Sequence, residues 1–294
     1  MNKVGFIGVG IMGKSMVRNL MKAGFELHIY ARTKSKVEDV ISEGAQFHES
    51  IKDCVQDCDA VITIVGFPQD VEEVYFDQGN ILDSAKKGAY LIDMTTTSPQ
   101  IAEKIYAEGT KRGFHVMDAP VTGGDTGAKA GTLSILVGGE KEDYEACMPL
   151  FEAMGTNINY QGKAGCGQHC KLANQIMIAG TLSGVCEALT YAKEQGLDPE
   201  VFMKSVATGA AGSKQLDTFG PKILKDDYAP GFFMKHFIKD MKLALIEANR
   251  KGLSLDVLSM VLANYEELEQ EGYGDLGTQA LMKFYDEEHR NMEE

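Results

Sequence analysis

Lys3-Val4-Gly5-Phe6-Ile7-Gly8-Val9-Gly10-Ile11-Met12-Gly13 opens the chain and decides how the rest of it is read. Val4 to Ile7 is a short apolar run of strand character, and Met12 to Ala23 carries helical spacing. Between them Gly8, Gly10 and Gly13 stand at the spacing G-x-G-x-x-G. Alone the pattern is weak; a strand before it and a helix after it give it meaning. Gly8 permits the tight turn, Gly10 lets the backbone approach a pyrophosphate, and Gly13 lets helix and strand pack closely. The start of the helix adds unpaired N–H groups and the positive end of its dipole. Ile11 and Met12 complete the loop, and Met12 is expected to touch the nicotinamide ring of a bound dinucleotide.

The next strand, Glu26 to Tyr30, runs into Tyr30-Ala31-Arg32-Thr33-Lys34-Ser35-Lys36. An enzyme that uses NAD usually places an acid about 20 residues past the glycines, where it accepts from the ribose 2′-OH. No carboxylate stands in this stretch. Arg32 can pair bidentately with a 2′-phosphate, and Thr33 and Lys36 can add contacts. The segment therefore favours NADP(H), with NAD(H) still possible.

Outward from the loop, Lys34 to Glu43 reads as a helix. Strand-like runs follow at Ala60 to Val65, Tyr90 to Asp93, His115 to Asp118 and Leu133 to Val137, most of them separated by helical patterns. Strands alternating with helices predict βαβ units and a parallel sheet. From about Gly167 the period turns helical: Leu172, Ile176, Ala179, Leu182 and Val185 repeat on one face, so a long helix is expected at about 167–195. Further helices are expected at Pro199 to Ala207, Phe237 to Lys251 and Leu255 to Glu271, with a last one from Thr278. The fold class is an α/β Rossmann-like domain over 1–162 followed by an all-α domain over 163–294. The acidic stretch from Asp286 to Glu294 reads as a solvated helix end.

The composition agrees. The chain has 294 residues, 44% of them hydrophobic, which suits two domains with real cores. Its net charge of -14 makes nucleic acid a poor partner. No run approaches the ~18 apolar residues of a membrane helix. Glycines and Lys14 interrupt the apolar start too early for a targeting segment, so a cytoplasmic location is expected. The six cysteines (Cys54, Cys58, Cys147, Cys166, Cys170 and Cys186) read as reduced thiols. Cys166, His169 and Cys170 lack the spacing of a zinc site, and no metal is expected.

Three later segments carry chemistry. Asp118-Ala119-Pro120-Val121-Thr122-Gly123-Gly124 leaves a strand; a hydroxyl and two backbone N–H groups at Thr122, Gly123 and Gly124 can grip a carboxylate. In Gly165-Cys166-Gly167-Gln168-His169-Cys170-Lys171-Leu172-Ala173-Asn174-Gln175, Lys171 and Asn174 share one helix face. An ammonium there can act as general acid, with Asn174 holding the substrate oxygen. Phe237-Ile238-Lys239-Asp240-Met241 opens another helix, and Lys239 can add positive charge. A lone lysine on an amphipathic helix is more often a surface group.

Taken together, Gly8 to Gly13, Asp93-Met94-Thr95-Thr96-Thr97-Ser98-Pro99, Asp118 to Gly124, Gly165 to Asn174 and Lys239-Asp240 occur in the order seen in the β-hydroxyacid dehydrogenase family, which the chain resembles over nearly its whole length. The resemblance implies an active site between the two domains. It implies Lys171 as the catalytic lysine assisted by Asn174, and Thr122, Gly123 and Gly124 on the substrate carboxylate. It also implies Thr96 and Lys239 along the cofactor or substrate site. Val65, in Ile64-Val65-Gly66-Phe67-Pro68, stands where the family carries a Leu-Pro loop against the dinucleotide; here Gly66-Phe67 is inserted before the proline. The implied activity is hydride transfer between a nicotinamide dinucleotide, NADP(H) by the reading of Arg32, and a small β-hydroxy acid or semialdehyde. Helical domains with apolar faces commonly pair, so a homodimer or homotetramer is expected. Rival readings are a 6-phosphogluconate-type dehydrogenase, an imine reductase, or a non-catalytic NADP(H)-binding sensor. A 6-phosphogluconate-type enzyme has a far larger helical domain, imine reductases usually lack the lysine found at 171, and a sensor has no use for Lys171 and Asn174.

Overall fold

The computed structural model describes residues 1–286; the acidic stretch read as a solvated helix end lies outside them from residue 287 on. Among these residues nine strands form one sheet: β1 (Lys3–Ile7), β2 (Glu26–Tyr30), β3 (Gln46–His48), β4 (Ala60–Thr63), β5 (Tyr90–Asp93), β6 (His115–Asp118), β7 (Val121–Thr122), β8 (Leu133–Gly139) and β9 (Gly155–Gly162). The spatial order is β3-β2-β1-β4-β5-β6-β8-β7, with β9 on β8. The first six strands are parallel throughout. β8 runs antiparallel to β6 and β7 and parallel to β9. The chain builds outward from β1 to β3 and then returns to place β4 on the other side of β1. That reversal opens a crevice at the carboxyl ends of β1 and β4, where open α/β sheets bind their ligands.

The strands are apolar because helices cover both faces of the sheet. Val4, Phe6 and Ile7 are all buried, as are Ala60 to Ile62 and Leu91 to Ile92. The helix after the glycine loop, Ile11–Lys22, turns Gly13, Met16, Val17 and Leu20 inward. It stops at Gly24, whose φ of 95° suits glycine, with Gly24 N–H on the Met21 carbonyl and Phe25 N–H on the Leu20 carbonyl.

The chain divides into two compact units, Met1–Lys171 and a second beginning at Leu172. The division falls within the helix Cys166–Glu194, whose 29 residues span about 43 Å. By length and composition this is the one helix among the described residues able to cross a membrane; 44% of its most apolar window is buried inside the protein. The second unit adds helices Pro199–Ala207, Lys214–Ile223, Met234–Arg250 and Asp256–Gln270. Its core is centred on Phe237 and Tyr265, which meet edge to face at 5.4 Å. The Tyr265 hydroxyl donates to the Thr278 carbonyl at 2.7 Å, so the buried ring keeps its polar end satisfied.

Several expectations change. Lys34 to Glu43 is not one helix. It is a 3-10 turn, Lys34–Lys36, then a short helix, Glu38–Ser42, divided at Val37, whose ψ of 10° leaves the helical range. The strand expected at Ala60 to Val65 ends at Thr63; Ile64 N–H still donates to the Ile7 carbonyl at 3.0 Å, but Val65 N–H goes to the Thr95 hydroxyl instead of to a strand. The segment from Thr278 to Tyr285 is a 3-10 rather than an α-helix. Strands β3, β7 and β9 and the helix Lys214–Ile223 are additions that the sequence pattern does not announce.

Candidate active site

The glycine loop shows three separate constraints. Gly8 has φ 98°, and a Cβ there would lie 2.1 Å from the Ile64 carbonyl oxygen at the exit of β4. A Cβ on Gly13 would lie 2.1 Å from the Gly8 carbonyl oxygen. Around Gly10, in contrast, a Cβ would meet nothing within 4 Å. The loop is thus closed against the protein on two sides and open on the third. The helix it leads into has no side-chain cap and no acid in its first turn. Lys14 and Arg18, further along it, are paired with Asp39 and Glu43. A phosphate seated at Gly10 would therefore be met chiefly by backbone N–H groups and the helix dipole, so the loop fits a dinucleotide pyrophosphate. Ile11 is exposed and Met12 half-buried beside it.

Arg32, Thr33 and Lys36 are exposed just beyond β2. The sequence window there holds no acid, but the fold brings one. Asp70, 38 positions from Arg32 along the chain, sets Oδ1 3.2 Å from its Nη1. Its Oδ2 accepts the Phe67 N–H at 2.9 Å, which pins the carboxylate at the start of the helix Pro68–Phe76. Gly66 and Phe67 lead into this turn.

Val65 and Thr96 come from adjacent strand exits that are tied together. Val65 N–H donates to Thr95 Oγ1 at 3.0 Å, and Thr95 N–H to Asp93 Oδ1 at 3.1 Å. Asp93 also accepts from the Thr63 hydroxyl at 2.8 Å. Burial pushes the Asp93 carboxyl up to about 6, against the lowering effect of these hydrogen bonds. Its register partner on β6, Asp118, is likewise raised by burial, opposed by N–H groups of Gly165 and Gln168 that donate to it at 2.8 Å each. Asp118 thereby closes the start of the helix Cys166–Glu194, a favourable place for a carboxylate.

Lys171 sits in the second turn of that helix and is only 7% exposed. It is a buried lysine rather than a surface group. The thiol of its neighbour Cys170 is raised by burial. Among the described residues no group of three or more His, Cys, Asp or Glu is placed to hold a metal ion.

Thr122 lies half-buried on β7, opposite Ser134 of β8. Gly123 and Gly124 follow with φ of 130° and 63°, values that favour glycine. Both are exposed, and a Cβ on Gly124 would meet nothing within 4 Å. The turn is open enough for a carboxylate to reach its backbone.

The second unit holds its own polar chain. Asn174 Nδ2 donates to Gln175 Oε1 at 2.8 Å, and Gln175 Nε2 donates to Asp240 Oδ2 at 2.6 Å. Lys239 Nζ lies 2.9 Å from Asp240 Oδ1. Asp240 is fully buried and Lys239 nearly so, which an exposed pair of charges would not be. Asn174 and Lys239, 65 positions apart in the sequence, are thus joined through two buried groups, Gln175 and Asp240. The sequence reading gave Gln175 and Asp240 no role, and it passed over Gln168. Glutamine has no motif that marks it as functional; the signal available for Asp240 was its position beside Lys239.

Comparison with known proteins places the chain in company. Residues 3–162 match the model for the NAD-binding domain of 6-phosphogluconate dehydrogenase. Residues 165–285 match the model described as NAD-binding of NADP-dependent 3-hydroxyisobutyrate dehydrogenase. An uncharacterized oxidoreductase of Bacillus subtilis, YkwC, is 49% identical, with 96% of this chain and 98% of that one covered. The NAD-dependent L-serine dehydrogenase of Pseudomonas aeruginosa is 34% identical over 97% and 98%. A solved structure of Mycobacterium tuberculosis 3-hydroxyisobutyrate dehydrogenase with L-serine superposes with a TM-score of 0.88 at 26% identity, covering 96% of this chain and 98% of that one.

Proposed function

The chain belongs to the β-hydroxyacid dehydrogenase family, of the 3-hydroxyisobutyrate dehydrogenase type, and is an NAD(P)-dependent oxidoreductase; from that premise we propose that it interconverts a small β-hydroxy acid and its semialdehyde with NADP(H) preferred. The observation that carries the reading is the burial of Lys171, 7% exposed, in the same unit as the open glycine loop. A buried ammonium one turn past a fixed helix start has a defined position, which a general acid needs.

The dinucleotide, when bound, supplies or accepts the hydride. In the reducing direction Lys171 stabilises the charge that grows on the carbonyl oxygen and gives up its proton there; in oxidation the neutral amine removes the hydroxyl proton. Thr122 and the N–H groups of Gly123 and Gly124 anchor the carboxylate, which orients the carbon that reacts. Asn174 and Lys239 assist, held by Gln175 and Asp240. Arg32 supports NADP(H), with Thr33 and Lys36 beside it. The six free thiols suit a cytoplasmic setting, and exposed Met177, Val257 and Met260 suit assembly into a homodimer or homotetramer.

The test follows NADPH and NADH oxidation with succinic semialdehyde, glyoxylate, tartronate semialdehyde and methylmalonate semialdehyde, and dinucleotide reduction with L-serine and 3-hydroxyisobutyrate. At least one pair should turn over. Lys171→Ala should then cut kcat by about a hundred- to ten-thousandfold with little change in KM. Near-normal turnover in that variant removes Lys171 from the role. Tight dinucleotide binding with no turnover of any compound would point to a sensor.

A further inference from the structure

Gln168 makes three hydrogen bonds to the strand exits that carry Thr96 and Asp118. It is fully buried. Its side-chain Nε2 donates to the Thr95 carbonyl at 2.7 Å, and its Oε1 accepts the Thr97 N–H at 3.0 Å. The two bonds take hold of the backbone on either side of Thr96. Its own N–H donates to Asp118 Oδ2 at 2.8 Å. One residue therefore ties the exit of β5, the exit of β6 and the helix that carries Lys171 one turn later. The close approach this needs is built in at Gly167, where a Cβ would lie 2.4 Å from the Leu136 carbonyl oxygen and 2.8 Å from that of Asp118.

We propose that Gln168 is a positioning residue: by bracketing Thr96 with its amide it fixes Thr96 and Lys171 relative to one another. The proposal rests on the roles given above to Thr96 and Lys171. An amide is the side chain that suits the place, because one bond requires a donor and the other an acceptor. Aspartate or glutamate as anions can only accept, and a hydrocarbon can do neither. The bonds are buried, so leaving the Thr95 carbonyl and Thr97 N–H unpaired costs more than either bond contributes when made.

Two variants test this. Gln168→Met keeps the length and removes both bonds. Gln168→Glu keeps both bonds only while its carboxyl is protonated, and burial raises the pKa of such a group. The groups around position 168 that also titrate or carry charge are Asp93 on β5, Asp118 on β6, Glu103 beside Gly165, and Cys166, His169, Cys170 and Lys171 on the same helix, so each variant is read as a ratio to wild type at the same pH. In Gln168→Met kcat should fall by about tenfold or more, since misplacing a reacting group by an ångström has that size of effect. In Gln168→Glu the kcat ratio should climb about tenfold as pH falls from about 8 to about 6. A helix that merely needed filling would give a ratio flat in pH, and that result, or wild-type kcat in Gln168→Met, overturns the proposal. Amide exchange at Thr97 gives a reading without turnover. It should quicken in Gln168→Met; unchanged exchange overturns the clamp even if the wild-type protein proves to reduce none of the compounds, whereas quickened exchange in an inactive wild type sinks the enzymatic reading and leaves the clamp standing.

Discussion

At the scale of single residues, two carboxylates set opposite limits. Asp70 is held at the start of its helix by the Phe67 N–H and lies 3.2 Å from Arg32. On the proposed reading, a 2′-phosphate at Arg32 would share it with that carboxylate and be repelled by it. Arg32→Ala should raise KM for NADPH by about tenfold or more, the worth of hydrogen bonds to a charged group, and leave NADH nearly unchanged. Asp70→Asn keeps an oxygen for the Phe67 N–H and removes the charge. It should lower KM for NADPH by at most about fivefold, because exposed ion pairs are worth about 0–1 kcal/mol. Initial rates with both dinucleotides decide, and equal effects on NADH and NADPH would remove Arg32 from the choice. Asp93 sets the other limit. Its carboxyl is pushed from its ordinary 3.8 to about 6 in the folded protein. The folded state therefore binds the proton more tightly, so this residue's contribution to stability is greatest below about pH 4 and is lost as pH rises to about 6, by about 2–3 kcal/mol. Asp93→Asn should remove that part of the slope. Denaturant midpoints of variant and wild type at pH 4 and pH 7 should converge at the acid end; a constant difference would contradict the shift.

At the scale of elements, Gly13 joins the first helix to the loop. Gly13→Ala puts a methyl group into the 2.1 Å gap before the Gly8 carbonyl, backbone that cannot swing aside. The expected loss is about 1–3 kcal/mol, read as a lower denaturant midpoint, and dinucleotide affinity should fall with it because the displaced loop is the proposed phosphate site. How much of this level is legible in sequence depends on what each element buries. Strands β1, β4, β5 and β6 are covered on both faces, so they read as plain apolar runs. The edge strand β9 is Gly-Thr-Asn-Ile-Asn-Tyr-Gln-Gly, largely exposed, and owes its form to pairing with β8. No local pattern announces it. The helix Lys214–Ile223 contains Gly220 and Pro221, both of which read as a break. Pro221 has no N–H to give, so the helix forms despite one missing intrahelical bond in its last turn, and Gly220 leaves room for Met203, whose Sδ a Cβ there would approach within 2.6 Å. The site divides the same way. Gly8 to Gly13, Lys171 and Thr122 to Gly124 lie in contiguous motifs and are visible in one pass. Asp70 beside Arg32, Gln168 around Thr96, and Asp240 behind Gln175 are made adjacent only by the fold.

At the scale of the whole molecule, ligand binding and stability are linked. A dinucleotide that binds only the folded protein adds about 2.7 kcal/mol at a hundredfold excess over its Kd. NADPH should raise the thermal midpoint of unfolding more than NADH at equal concentration, and Arg32→Ala should erase the difference. An equal shift by both dinucleotides in wild type would argue against the preference for NADP(H). If the unit Met1–Lys171 and the unit from Leu172 melt separately, the shift belongs to the transition of the first, which holds the glycine loop.

The contrast between Gly8 and Arg32 reaches further than either residue. Gly8 is walled in by the Ile64 carbonyl and admits no substitute, whereas Arg32 projects 73% of its side chain into open space. On the proposed preference for NADP(H), a switch to the unphosphorylated coenzyme should therefore be made by editing a rim that tolerates change, with the walled-in glycine loop beneath it left untouched.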